Sequence, residues 1–363
     1  MRTRRSSGVF VAVALTAATA RTVTAGPASA VANPFIDVTT TADVVDPSDD
    51  VVSLREAVAQ ANAAAGADTI RLADGLTYDL TICGGSLATP DNSAGDLDAT
   101  DAGNLTITGD PAAVTAPTIH QKCPQRVIWG AAGLLEMRHV DLTGGNPADG
   151  GSILATGALI LDHVDESAAT NGVLPGDFDG AVSAHSNPVT IVDSTIHDDV
   201  ATGVYLGSVG TTVNSVIGHA SVRDNVSHGI GGGIYSPNPF TLDQSDVTGN
   251  SGGRLAAGVA SFGANITKST ISGNHDGVAG GVAGAFTLID SQLTDNTGFT
   301  YGGALGSFSV VWSTVARNHA VTLGGGLTGW GSVTDSTVSG NQTKASAAAS
   351  WPMRRGMRLL VRR

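Results

Sequence analysis

The chain has 363 residues, of which 48 are glycine, 4% are aromatic and only 14% are charged. No Gly-X-Y period accompanies the glycine, which excludes a collagen, and a 41% apolar fraction excludes a disordered chain. The formal net charge is -13, and arginines gather at both ends, so the body is more acidic still. Such a surface repels nucleic acid and anionic membranes and disfavours polyanionic sugars unless cations bridge.

Residues 1–30 read as an export signal, expected to be removed. Arg2, Arg4 and Arg5 precede the apolar run from Val9 to Leu15, and Ala28-Ser29-Ala30 offers a small-x-small cleavage site. No later segment is apolar enough for a membrane helix, so the mature chain is expected to be secreted or at the cell surface.

Residues 34–82 form an N-terminal module with the one clear helix. Phe35 to Thr41 reads as a strand and Asp46 to Asp50 as a turn. Ser53 and Glu56 have capping-box spacing, and Leu54, Ala57, Val58 and Ala61 make one apolar stripe. Gly66 is expected to stop the helix in the left-handed conformation. Strands are expected over 68–72 and 77–82.

Val52-Ser53-Leu54-Arg55-Glu56-Ala57, with Thr39-Thr40-Thr41-Ala42-Asp43, Ala61-Asn62 and Ala67-Asp68-Thr69-Ile70, resembles the module of exported bacterial proteins named for a Cys-Ser-Leu-Arg-Glu-Ala signature. Val52 stands where that family often has cysteine. The resemblance covers about 50 residues and implies export and a following right-handed parallel β-helix. The apolar open end of a solenoid's first coil needs a cover, which the short amphipathic helix is expected to supply. It implies no established activity.

Residues 83–135 are less regular. Cys83 and Cys123 are the only cysteines. In an exported protein they either pair or remain two separate buried thiols. Asp91, Asp96, Asp98 and Asp101 lie between them. They form either a loop for calcium as a cofactor or an exposed acidic loop.

From 136 to 341 a unit repeats: serine, an aliphatic two residues on, an asparagine three further. It reads Ser245-Val247-Asn250, Ser269-Ile271-Asn274, Ser291-Leu293-Asn296, Ser313-Val315-Asn318 and Ser336-Val338-Asn341. Asn225 precedes these, and degenerate rungs end near Asn146, Asn171 and Asp199. A period in the low twenties with three short extended runs per repeat means a β-helix coil. The expected architecture is all-β, a pectin-lyase-like right-handed solenoid over 83–341 with roughly nine or more coils. The asparagines are expected to take the left-handed bend and to bond coil to coil. The Gly-Gly and Asn rhythm is similar to the repeats of polymorphic outer-membrane proteins, without their usual aromatic residue or membrane barrel. After 341 the pattern breaks into a basic tail, 342–363, which reads as a truncation or frameshift or as a genuine binder of anionic wall polymer.

The chemistry is sparse. Asp198 and Asp199, with His228 one coil later, faintly echo the Asp-Asp and Gly-His-Gly elements of polygalacturonases, and an inverting hydrolase needs two carboxylates about 6.5–9.5 Å apart. Asp199 also fits the asparagine register. Arg223 beside Asp224 is the only lyase-like group in the array. The pairs His163 with His185 and His197 with His219 are expected to stack on adjacent coils, and no metal motif is present. The expectation is a secreted structural, adhesive or glycan-binding protein, whose partner is an extracellular polysaccharide or cell-surface ligand. The alternative is a glycoside hydrolase or polysaccharide lyase.

Overall fold

The structure is a computed structural model that describes residues 35–344 apart from 65, 86–88, 101–102, 132, 147–150, 171–179, 186–187 and 208–214. The expected export signal, Asp101, Asn171 and the tail from 345 lie outside the described residues.

The described residues form the expected all-β, right-handed parallel β-helix with one helix. Every strand pairs in parallel with the strand one coil away. One sheet stacks Ile36, Ile70, Ile107, Met137 and Leu161 and runs on to Leu327–Thr334. A second begins at Thr77–Leu80 and ends at Thr337–Ser339. A third begins at Leu97–Ala99. Strands that wrap a corner join these faces into one hydrogen-bonded system of 27 strands, and a narrower sheet of six runs from Val226–Ser227 to Gln342–Thr343. Coiling starts within residues 34–82, because Phe35–Asp37 and Asp68–Arg71 already lie in the first sheet. Burial alternates along many strands of the first two sheets, so inward aliphatics such as Ile271, Leu293 and Val315 fill a narrow core, whereas third-sheet strands such as Leu97–Ala99 and Gly180–Ala184 are buried throughout.

The helix, Leu54–Ala63, buries Leu54, Ala57, Val58 and Ala61 in that core. Ser53 Oγ accepts from the Glu56 N–H at 3.2 Å, and Glu56 Oε2 accepts from the Ser53 N–H at 2.9 Å. Gly66 does not end the helix. Ala64 does, turning extended at φ -80°, which sends the chain directly toward the strand Asp68–Arg71.

Two corners are built from left-handed residues. One column comprises His139, His163, Asp193, His219, Gln244, Lys268, Asp290, Trp312 and Asp335. The other comprises Ala168, Asp198, Asp224, Gly249, Gly273, Asp295, Arg317 and Gly340. The asparagines themselves are not left-handed; the residue before each one is. That neighbour turns outward, which frees the asparagine to face in.

The inward asparagines bond as a ladder. The Asn250 N–H and Nδ2 both donate to Asn274 Oδ1 at 3.0 Å, and Nδ2 also donates to the Val222 carbonyl at 2.9 Å. The serines stack likewise, Ser269 N–H donating to Ser291 Oγ at 3.0 Å. A glycine pair follows because two coils nearly touch there: a Cβ on Gly303 would lie 2.6 Å from the Gly326 carbonyl oxygen.

Cys83 and Cys123 are joined in a disulfide, with Cα atoms 5.3 Å apart and a sequence separation of 40. Closing a loop of that length restricts the unfolded chain by roughly 4 kcal/mol. The double Cys→Ser variant should therefore lose about 3–4 kcal/mol in urea unfolding monitored by circular dichroism. A loss under about 1 kcal/mol would contradict this assignment of the stabilisation.

Candidate functional site

In a regular stack, exceptions to the repeat mark where something other than packing was selected. They concentrate on the coils around 158–170 and 189–200. The inward register that holds Leu142, Ile196, Val222 and Val247 holds Glu166 on the coil between Leu142 and Ile196. The asparagine register holds Asp199, whose Oδ1 accepts from the Ala169 N–H at 2.7 Å. Both acids are fully buried.

The outward positions of the same strands carry a charged cluster. Asp165 lies opposite Thr195, and His197 opposite Arg223. The His197 ring is held between two carboxylates, Nε2 at 2.7 Å from Asp165 Oδ1 and Nδ1 at 2.5 Å from Asp198 Oδ2. Arg223 Nη1 lies 3.1 Å from Asp224 Oδ2 and 3.9 Å from Asp198 Oδ2. Asp141 precedes Asp165 in the same column. Burial, then the Asp165 charge, raises its carboxyl above the ordinary value. His197 is mostly shielded, whereas Asp165, Asp198 and Asp224 are about half exposed. The result is a solvent-facing patch of hydrogen-bond acceptors with one guanidinium.

Asp198 and Asp199 are thus not an acid/base pair across one substrate. The left-handed turn at Asp198 sends its side chain out, and Asp199 points into the core. His228 is exposed in the bend after Val226–Ser227, the first strand of the narrow sheet, whereas His197 lies on the second sheet, paired with Arg223. The expected histidine stacks also fail. His163 stacks on His139 with ring centroids 4.7 Å apart, while His185 meets Tyr205 edge-on at 5.5 Å. Coils here are longer than 22 residues, with equivalent positions 30 apart between Ala169 and Asp199 and 26 apart between Asp199 and Asn225.

The acidic stretch does not gather around a cation among the described residues. Asp96 is taken by Arg126, Nε to Oδ2 at 2.7 Å, and Asp91 accepts from Ser93 N–H and Oγ. Burial pushes the Asp98 carboxyl up to about 6. Asp162, His163 and Asp193 do cluster, at the corner. Asp162 is already engaged by Arg138 at 2.5 Å and His163 at 2.6 Å, so a cation would have to displace both.

No family model and no curated protein sequence matches the chain. Among solved structures it is similar to the A-module of a mannuronan C-5 epimerase from Azotobacter vinelandii, at 16% identity over 83% of this chain and 93% of that one, with a TM-score of 0.46. It is similar to pectate lyase Pel9A at 12% identity over 70% of both chains, TM-score 0.42. It is also similar to a pectin methylesterase from Aspergillus niger at 12% identity, covering 74% and 83%, TM-score 0.39.

Proposed function

We propose that this chain is an exported β-helix that binds a neutral or amino-sugar polysaccharide along its lateral face, in the band from Asp141 to Asp224. The Asp165–His197–Asp198–Arg223 cluster carries the reading. Carboxylates accept from paired sugar hydroxyls, and the guanidinium donates to ring or hydroxyl oxygens. Neighbouring coils ~4.8 Å apart repeat at close to the length of one pyranose unit. The acidic body argues against a polyanionic chain. The basic and apolar start of the sequence and its Ala-Ser-Ala site support export. Among the described residues no helix is long and apolar enough to cross a membrane.

Pull-down on insoluble polysaccharides and a glycan array test this. Arg223→Ala together with His197→Ala should weaken binding to the best glycan at least about tenfold, through loss of the guanidinium contact and of the imidazole that positions Asp165 and Asp198. Unchanged binding would overturn the assignment. A second reading is favoured by one observation: an imidazole held by two carboxylates is a general acid/base arrangement. New reducing ends or unsaturated-uronate absorbance, lost in His197→Ala, would make the band an active site instead.

A further inference from the structure

The two buried acids behind the His197 cluster are used by neither reading of the outer face. Their surroundings are specific. In the ladder from Asn225 to Asn318 each asparagine amide nitrogen donates twice. Asn225 Nδ2 donates to the Ile196 carbonyl at 3.2 Å and to Asn250 Oδ1 at 3.0 Å. Asn250 Nδ2 does the same one coil later, to Val222 and Asn274.

Asp199 occupies that register. Its Oδ1 accepts from Ala169 N–H at 2.7 Å, and its own N–H donates to Asn225 Oδ1 at 3.1 Å, as an asparagine's would. Its Oδ2 therefore stands where the amide nitrogen stands elsewhere. By register it faces two acceptors, the Glu166 carbonyl and Asn225 Oδ1. It is buried and has no donor. An ionised carboxylate would press a negative oxygen against those acceptors. A proton on Oδ2 restores the missing donor.

The Glu166 carboxyl lies against Asp199 and the Ser152 hydroxyl, and neither of its oxygens has a well-directed partner. Asp165, His197 and Asp198 flank the pair from the outer side of the same strands. The facing groups on the packed elements are thus one hydroxyl, the Ala169 and Asn225 ladder groups, two outer carboxylates and one imidazole. No lysine or arginine is among them.

We propose that Glu166 and Asp199 form a proton-binding site in the core of the solenoid, with Asp199 standing in the asparagine ladder as a neutral acid. Loss of its proton breaks the ladder on the coil that carries His197, so the outer patch is held in place only while the inner pair stays protonated. This holds whatever ligand the outer face takes. Burial, above all, pushes the Asp199 carboxyl up to about 7. Burial, and then Asp199, raise Glu166 well above the ordinary carboxylate range. Because the folded state holds these protons more tightly than the unfolded chain, their stabilisation is complete below the unfolded carboxylate range. The Asp199 share is lost as pH rises through about 7, and the Glu166 share as pH rises through its own raised value.

The test is a carboxyl-carbon NMR titration of the full chain labelled in Asp and Glu, paired with urea midpoints from about pH 5 to 8, the window these shifts define. Wild type should show the Glu166 and Asp199 carboxyl carbons still protonated at the acid end of that window, beside that of Asp98, and its midpoint should fall as pH rises. Asp199→Asn should remove one of those signals and flatten most of the fall, and Glu166→Gln should remove the other. Asp98, raised to about 6, keeps its share in every variant, so the comparison is between variants. Both resonances titrating in the ordinary carboxylate range, or an unchanged pH dependence in Asp199→Asn, would overturn the proposal. Should a variant fail to fold, the wild-type titration decides alone.

Discussion

Asn274→Ala is expected to cost about 3–5 kcal/mol in unfolding free energy, although it removes one side chain and no strand. Four hydrogen bonds end on that amide. Nδ2 donates to the Val247 carbonyl and to Asn296 Oδ1, both at 2.9 Å, and Oδ1 accepts from the Asn250 N–H and Nδ2, both at 3.0 Å. All of these partners are buried, so alanine removes partners from groups on the two flanking coils, each orphan costing about 1–3 kcal/mol. The sum is discounted because neighbouring orphans relax together. Gln292→Ala, on the exposed outer face, should stay within about 0.5 kcal/mol. Urea unfolding with hydrogen exchange of the flanking coils checks both. A loss below about 1 kcal/mol for Asn274→Ala would mean that the ladder does not carry this load.

Asp43→Ala should be comparably severe, about 3–5 kcal/mol, by leaving a buried cation alone. Asp43 holds Arg55 through Oδ1 to Nε at 2.8 Å and Oδ2 to Nη2 at 3.2 Å, and neither side chain is more than marginally exposed. Asp43 Oδ2 also accepts from the Thr81 and Ile82 N–H groups at 2.7 and 2.8 Å. Arg55 spends its other donors on the Gly95 and Asp96 carbonyls, tying the helix to the loop that precedes the third sheet. Replacing both partners, as Asp43→Leu with Arg55→Met, should recover part of the loss because no charge is stranded. Burial pushes the Asp43 carboxyl up, but the Arg55 and backbone donors outweigh it and hold it below the ordinary value. This contribution is therefore present above the usual carboxylate range and is lost as pH falls through the lowered pKa. Its sign is opposite to that of the Glu166–Asp199 pair, so acid unfolding of Asp43→Ala should be shallower than wild type at the low end.

Much of this was legible in the residues. Capping-box spacing marks Ser53 and Glu56, and a lone pair of cysteines allows the bridge that the structure contains. Reading Asp199 as an asparagine substitute, rather than half of a catalytic pair, agrees with its hydrogen bonds to Ala169 and Asn225. What stayed hidden was Glu166. Its coil is longer than the repeat, so no fixed offset in sequence links it to Asp199. The same long coil misplaced the histidines: His197 belongs with Asp165, 32 residues earlier, and not with His219. Adjacency misled in the other direction, since Asp198 and Asp199 are neighbours in sequence and point to opposite sides of the wall.

The sequence by itself determined the solenoid, its period and the identity of the inward rows, because each coil repeats one set of backbone demands and the residues answering them recur. It also marked the capped amphipathic helix, but it began the coils at 83, and the pairing of Phe35–Asp37 with Asp68–Arg71 begins them earlier. Only the tertiary structure decided which residue takes the left-handed turn and which carboxylates meet. Those outcomes depend on the register between coils, and an insertion anywhere in a coil shifts that register without changing the local pattern. Asp199 shows the division. Its spacing placed it in the ladder, and the packing of Glu166 against it supplies the reason for a proton there.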